Sequence, residues 1–139
     1  MRLSIANQLE GKFMIVVEPG RRRRVVETIV EAQGVQFLCP KCYATNGGPV
    51  GTHSVVCWSR AKGVSEEESP GPGRWSLHGT GLADLTLHGD APGGGGARSV
   101  LLTSGCGWHG FIDDGFAHGD IPEMRHGNAI ADSDGDDGA

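Results

Sequence analysis

The apolar residues of this chain fall in short runs, separated by turns that are rich in glycine and proline. Runs of this length with β-branched and aromatic residues are typical of strands in a small sheet. Strands are predicted for residues 11–18, 35–38, 52–58, 74–77, 84–87 and 99–103. A tight hairpin is predicted around Asp113-Asp114-Gly115, because Asp-Gly favours the turns that connect adjacent antiparallel strands.

One segment, residues 21–34, has a different periodicity. Its apolar residues Val25, Val26, Ile29 and Val30 recur at helical spacing, and Gly34 stands where a helix often ends. The pattern predicts one helix of about three turns near the N-terminus. The predicted fold class is therefore mainly β, a small and loop-rich antiparallel fold with one short N-terminal helix.

The composition narrows the class of protein. The chain has 139 residues, of which 24 are glycine and 7 are proline, and 37% are hydrophobic. The glycines are not periodic, which excludes a collagen-like chain, and no apolar run is long enough to span a bilayer. We predict one domain over residues 1–120 and a flexible acidic tail over 121–139. No signal peptide is recognised at the N-terminus, so a reducing cytoplasm is expected.

The charge distribution argues against a general nucleic-acid-binding surface. The net charge is −5, and the aspartates of the C-terminal tail account for most of it. The remainder is nearly neutral, whereas nucleic-acid binding needs clustered cations. Arg21–Arg24 is the single basic run, and contact with nucleic acid through it is kept as an alternative function.

Two pairs of metal-ligand residues stand out. Cys39 and Cys42 form the motif C-P-K-C, and Cys106 and His109 form the motif C-G-W-H. Each is a tight turn that directs two ligands to one point. Together they predict a closed site of three cysteines and one histidine, of the kind that holds structural zinc. A small domain with a limited core is also the kind that a structural metal stabilises.

Alternatives for the cysteines remain open. A redox pair at Cys39 and Cys42 would normally open a helix, but a loop is predicted after Cys42. Disulfides conflict with a reducing compartment. His53 and Cys57 are competing ligands, although their spacing along a strand prevents both from binding one ion, so one of them could replace a member of the set. Cys57 is more simply a small buried apolar residue.

No catalytic motif accompanies the predicted zinc site. A catalytic zinc keeps an open position beside a general base, and neither H-E-x-x-H nor a deaminase signature occurs. A zinc-dependent hydrolase is kept as an alternative, with Asp113 or His53 as its base.

A family resemblance adds to this interpretation. The strings GVQFLCPKCYATNGG, GTHSVVCW, PGPGRWSLHGTGLADLTL and SVLLTSGCGWHGF resemble small, uncharacterised phage and prophage proteins. These form the domain-of-unknown-function family numbered 6527. The resemblance covers roughly residues 12–118, and its most specific parts are the C-P-K-C and C-G-W-H motifs. It implies a phage or prophage origin and a Cys/His zinc site, and it implies no activity. Only Cys39, Cys42, Cys106 and His109 are carried over.

The expected function is a non-enzymatic, zinc-stabilised binding module. Its expected partner is a host or phage protein, and its expected location is the host cytoplasm, with association with the virion as a further prospect. No membrane contact is expected.

Overall fold

The computed structural model describes residues 1–71, 73–91, 95–102 and 105–124. It contains ten strands, one α-helix and one short 3-10 helix. The strands are β1 (Arg2–Ser4), β2 (Lys12–Glu18), β3 (Arg22–Val26), β4 (Gly34–Leu38), β5 (Ser54–Trp58), β6 (Trp75–His78), β7 (Thr86–Gly89), β8 (Val100–Leu101), β9 (His109–Asp113) and β10 (Phe116–His118). The α-helix α1 is Pro40–Asn46 and the 3-10 helix is Leu82–Asp84.

The strands form two four-stranded antiparallel sheets and a hairpin. The first sheet has the order β1-β10-β9-β8, and the second has the order β3-β2-β4-β5. Strands β6 and β7 pair with each other. The mainly β class, with one α-helix in the described ranges, is thereby confirmed. Of the predicted domain division, residues 1–120 fall largely within the described ranges, whereas residues 125–139 of the predicted tail lie outside them.

The strand predictions correspond to observed strands. Each of the six predicted runs overlaps one of β2 and β4 to β8. The Asp-Gly hairpin is also present, since β9 and β10 pair with Phe116 opposite Asp113. Asp114 and Gly115 both have positive φ, 49° and 82°, as a primed two-residue turn requires.

The position of the helix was predicted wrongly. Within residues 21–34, strand β3 pairs with β2, so that Val25 lies opposite Met14 and Val26 opposite Phe13. Valine favours strands, and a Pro19-Gly20 turn returns the chain beside β2, where ladder hydrogen bonds replace helical ones. Of the residues in β3, only Val26 is buried in the core, and Val25 is half exposed.

The helix lies instead immediately after Cys39, where a loop was predicted. Pro40 occupies its first position, and Gly47 ends it with φ of 75°. Proline at the start and a left-handed glycine after the end are favourable helix boundaries. The segment is only seven residues long, so it has too few apolar positions to produce a helical periodicity that sequence analysis could detect.

One core joins the two sheets and the hairpin. Trp108, which immediately precedes β9 of the first sheet, and Phe37 in β4 of the second meet edge to face, with ring centroids 6.2 Å apart. The indole N–H of Trp108 donates to the carbonyl of Gly119 at 2.7 Å, so this fully buried side chain is also satisfied as a donor. The contact brings the end of β4, where the C-P-K-C motif begins, close to the loop before β9, where the C-G-W-H motif begins.

A buried arginine holds the long loop after β5. The guanidinium of Arg74 donates to the carbonyls of Ser65, Glu68, Pro70 and Gly73 at 2.7 to 2.9 Å. Arg74 is largely buried, and a charge in that position needs such partners. These four hydrogen bonds fix the conformation of the loop.

Candidate metal centre

Four side chains from separate parts of the chain converge at one point. Cys39 follows β4 directly, Cys42 lies in α1, His53 immediately precedes β5, and Cys106 lies in the loop between β8 and β9. Their ligand atoms all lie within 4.8 Å of one another. Among the described residues, this is the one such group of three or more potential ligands.

Pairing of β4 with β5 explains why His53 belongs to the group. The register places Leu38 opposite Ser54, and one step further the backbone N–H of Cys39 donates to the carbonyl of His53 at 2.8 Å. The two residues are thus cross-strand neighbours, whose side chains lie on the same face. The turn of α1 then returns Cys42 toward Cys39.

The distances suit a bound metal ion. The Cys39 and Cys106 sulfurs are 3.3 Å apart, and the Cys106 sulfur is 3.6 Å from Nε2 of His53. A tetrahedral ion with metal–sulfur bonds of about 2.3 Å places two sulfurs about 3.8 Å apart. All four cysteines are free thiols, so no disulfide competes for these ligands. Cys39, Cys42, His53 and Cys106 could therefore hold a metal ion.

Backbone donors reinforce both cysteine turns. The N–H of Cys42 approaches the Cys39 sulfur, and the N–H of Trp108 approaches the Cys106 sulfur. Gly107, with φ of 69°, allows the second turn to fold back in this way. Such N–H donors stabilise thiolate charge, as expected for a site that binds a cation.

His109 is not a member of the group, which corrects the ligand set derived from sequence. Its side chain is exposed at the start of β9, and its backbone N–H donates to Asp120 at 3.3 Å. The C-x2-H spacing suggested a second ligand pair, but the chain enters strand β9 at His109, beyond the turn. As a ligand, His53 was considered in the sequence only as a replacement for a member of the set. The pairing of β4 with β5, which the C-x2-C and C-x2-H spacings do not show, places it in the group.

Cys57 is a small buried apolar residue, as the sequence suggested. It is fully buried within the core, two positions beyond Val55 on the core-facing side of β5. Burial raises the pKa of its thiol well above the usual value. Cys57 therefore packs as a neutral apolar side chain and lies outside the ligand group.

The three clustered thiols ionise differently. Burial, followed by the proximity of Cys106, raises the pKa of Cys39 to about 12. Burial also raises the pKa of Cys42. Partial burial of Cys106 opposes ionisation, but hydrogen bonds from His53 and Cys39 outweigh it and lower the pKa to about 7. When no metal is bound, Cys106 is therefore about half ionised at pH 7, and Cys39 and Cys42 are protonated.

The number of protons released when the metal binds is expected to depend on pH. At pH 8, Cys106 is already largely ionised, so binding displaces about two protons, from Cys39 and Cys42. Below pH 7, Cys106 must also lose its proton, and the number rises to about three. The apparent association constant should thus fall more steeply with decreasing pH below 7 than above it. Calorimetry in buffers of different ionisation enthalpy measures these numbers, and a constant number from pH 6 to 8 contradicts the prediction.

The Asp113 carboxylate, considered as a hydrolytic base, has other partners. It accepts hydrogen bonds from Nε2 of His118, at 2.7 Å, and from Arg98. Partial burial opposes ionisation, but the bonds from His118 and Arg98 prevail and lower the pKa of Asp113. This carboxylate is committed to an ion-pair network and is not a member of the ligand group.

The arginine run also has structural partners. Glu18 pairs with Arg21 at 3.8 Å and with Arg22 at 3.4 Å. The guanidinium of Arg23 lies 5.6 Å from the ring of Trp58. These contacts occupy much of the run at the β2–β3 hairpin.

Comparisons with known proteins give no further identification. No family model, no curated protein and no solved structure matches this chain. Within the described residues, no helix is both long and apolar enough to cross a membrane. The fold and the ligand group are therefore the features that indicate a function.

Proposed function

We propose that this chain is a small, zinc-stabilised binding module without enzymatic activity. The observation that carries the proposal is the closed ligand group, in which three thiols and one imidazole converge from four parts of the chain. Structural zinc sites use four protein ligands of this type, whereas catalytic sites keep one position for water or substrate.

The chemistry of the ligands favours zinc over other metals. Thiolate and imidazole are soft or borderline donors, and sites with three sulfurs and one nitrogen are tetrahedral. Calcium and magnesium prefer oxygen ligands. Zinc would be bound by Cys39, Cys42, His53 and Cys106, where it would connect the end of β4, α1 and the start of β5 to the loop after β8. A reducing cytoplasm would keep the thiols available for it.

A phage or prophage origin is part of the proposal and rests on the sequence resemblance alone. It would make a protein of the phage or of its host the natural partner. Four ligand residues were carried over from the resemblance, and the proposal replaces one of them, His109, with His53, which lies beside the three cysteines. The remaining three cysteines retain their proposed role.

The closed site can be tested by replacing zinc with Co²⁺. Cobalt in a tetrahedral site absorbs visible light, and its spectrum depends on the ligands present. We expect a tetrahedral spectrum with sulfur-to-metal charge transfer that remains unchanged when azide is added in excess. A spectrum that changes with azide would show an exchangeable position, as the hydrolase alternative requires. The Cys57→Ala variant serves as the control, because it retains all four ligands.

A further inference from the structure

Two sheet edges line one open cavity beside the ligand group. Among the described strands, β5 is one of the two outer strands of the second sheet, and β8 is one of the two outer strands of the first. Residues of both strands line a cavity of about 500 Å³, and Pro70, Gly71 and Trp75 complete its walls. The Arg74 contacts described above hold this part of the wall in place.

The alternation of the β4–β5 ladder exposes backbone groups of β5. Cys39 donates to His53, and Ser59 donates to Gln33, both at 2.8 Å. The backbone N–H and C=O groups of the odd-numbered residues of β5 therefore point toward β4. Those of Val56 point to the other side. Within the described part of the chain, these groups of Val56 have no hydrogen-bond partner.

Strand β8 presents the same arrangement from the opposite wall. The backbone N–H of Leu102 donates to the carbonyl of Trp108 at 2.9 Å, so the backbone groups of Leu102 point toward β9. Those of Leu101, one residue earlier, point away from β9. Again among the described residues, the N–H and C=O of Leu101 have no partner. The Leu101 side chain is also 56% exposed, which is unusual for a leucine beside the core.

The chemistry of the walls indicates what the cavity can accept. Apart from His53 at one end, the described lining residues are apolar, glycine or serine, with no acidic or basic side chain. A charged ligand would lose its hydration there without gaining an opposite charge. An uncharged extended peptide matches the walls, because it offers alternating backbone donors and acceptors to both edges and apolar side chains to the rest.

The ligand group lies at one end of this cavity. His53 immediately precedes β5, and Cys106 follows β8 by a short loop. Their approach to 3.6 Å brings the two edges together at that end. A metal ion would hold the edges at a defined separation, so this inference rests on the proposed zinc-stabilised module and names its partner class.

We infer that the cavity between β5 and β8 binds an extended, uncharged, apolar segment of a partner protein as an additional strand. About three residues of each edge run along the cavity, Ser54–Val56 and Ser99–Leu101. At the usual strand rise these cover about 10 Å, so the bound core is about three to four residues long. Such a contact is small, and its affinity is correspondingly low.

The test uses the zinc-loaded full chain and a blocked six-residue peptide of alternating valine and threonine. Amide hydrogen exchange at Val56 and Leu101 is measured by NMR with the peptide at about 1 mM. We expect both amides to exchange at least about tenfold more slowly with the peptide present. The same peptide with N-methyl groups on alternate residues, which lacks the donors for one edge, should bind at least about tenfold more weakly.

A matched pair of variants tests the edge itself. Leu101→Pro removes the N–H that points away from β9, where an edge strand tolerates proline. Leu101→Val keeps that N–H and introduces a β-branched side chain, which suits a strand. Leu101→Pro should weaken peptide binding at least about tenfold, and Leu101→Val should change it less than about threefold. If the proline variant fails to bind zinc and fold, the N-methylated peptide still decides the question.

Several outcomes would overturn the inference. Unchanged amide exchange would show that no strand binds, and equal binding of the N-methylated peptide would show a general apolar cleft. Slower exchange with increasing protein concentration and no peptide would assign the edges to a second copy of this chain. The proposed function is assessed separately by mass spectrometry of the recovered peptide, since cleavage would contradict a non-enzymatic module while leaving the strand-binding site intact.

Discussion

Replacing Cys106 with alanine is expected to abolish stoichiometric zinc binding and to lower the melting temperature by at least about 15 °C. Cys106 brings the only ligand from the loop between β8 and β9 into the described group, so zinc cannot connect the two sheets without it. Structural zinc contributes about 10 kcal/mol or more to the folding of small domains, which is comparable with the whole stability of a typical domain. Elemental analysis and thermal melts of the purified variant measure both effects.

The position of Cys106 makes this experiment easier to interpret than a change at Cys39. Cys39 is fully buried in the core, so its removal would combine the loss of a ligand with a packing defect. Cys106 is half-buried, and alanine there removes little apolar contact. A large drop in stability would therefore come from the metal.

Cys57→Ala is the matched control for the loss of a cysteine. Cys57 is fully buried but lies outside the ligand group. Its replacement should cost about 1–2 kcal/mol through lost packing and leave one zinc per chain. Treatment of the native chain with a strong chelator should reproduce the Cys106→Ala melt. A Cys106→Ala variant that binds zinc and melts like the native chain would refute the structural site.

The sequence was sufficient for β2 and for β4 to β8 because each of these strands contains a compact apolar run. The β9–β10 hairpin was recognisable from Asp114-Gly115, whose turn conformation depends on local residues alone. The segment 21–34 was misread because its spacing of Val25, Val26 and Ile29 fits a helix, whereas pairing with β2 determines its conformation. Non-local pairing of this kind overrides weak local propensity.

The ligand group, too, was predictable where it depends on residues close in sequence and not where it depends on strand pairing. Cys39, Cys42 and Cys106 were identified because two of them share a turn and the third begins another. His53 lies fourteen residues from Cys39 in the chain and joins it through the register of β4 with β5. If the predicted strand 52–58 is paired with residues 35–38 in the observed register, Leu38 lies opposite Ser54. His53 then falls opposite Cys39. The cavity between β5 and β8 has no local sequence signal, since its walls come from two sheets.

The two histidines then provide the sharpest test of the ligand group. His53→Ala is expected to weaken zinc binding at least about 100-fold, because it removes one of four bonds to the metal. His109→Ala should change zinc affinity by less than about threefold, as that side chain lies outside the group. Both histidines are exposed, so neither substitution leaves a core cavity. Competition with a chromophoric zinc chelator measures the two affinities under identical conditions.

A rescue variant separates metal ligation from a general role of His53 in folding. Cysteine at this position can supply a fourth thiolate, and four cysteines are themselves a common ligand set for structural zinc. His53→Cys should therefore recover most of the affinity lost in His53→Ala, with a cobalt spectrum shifted toward four sulfur ligands. If His109→Ala instead loses zinc and His53→Ala retains it, the C-x2-H spacing supplies the true ligand pair. In that event β9 must begin later than described, with His109 turned back toward Cys106.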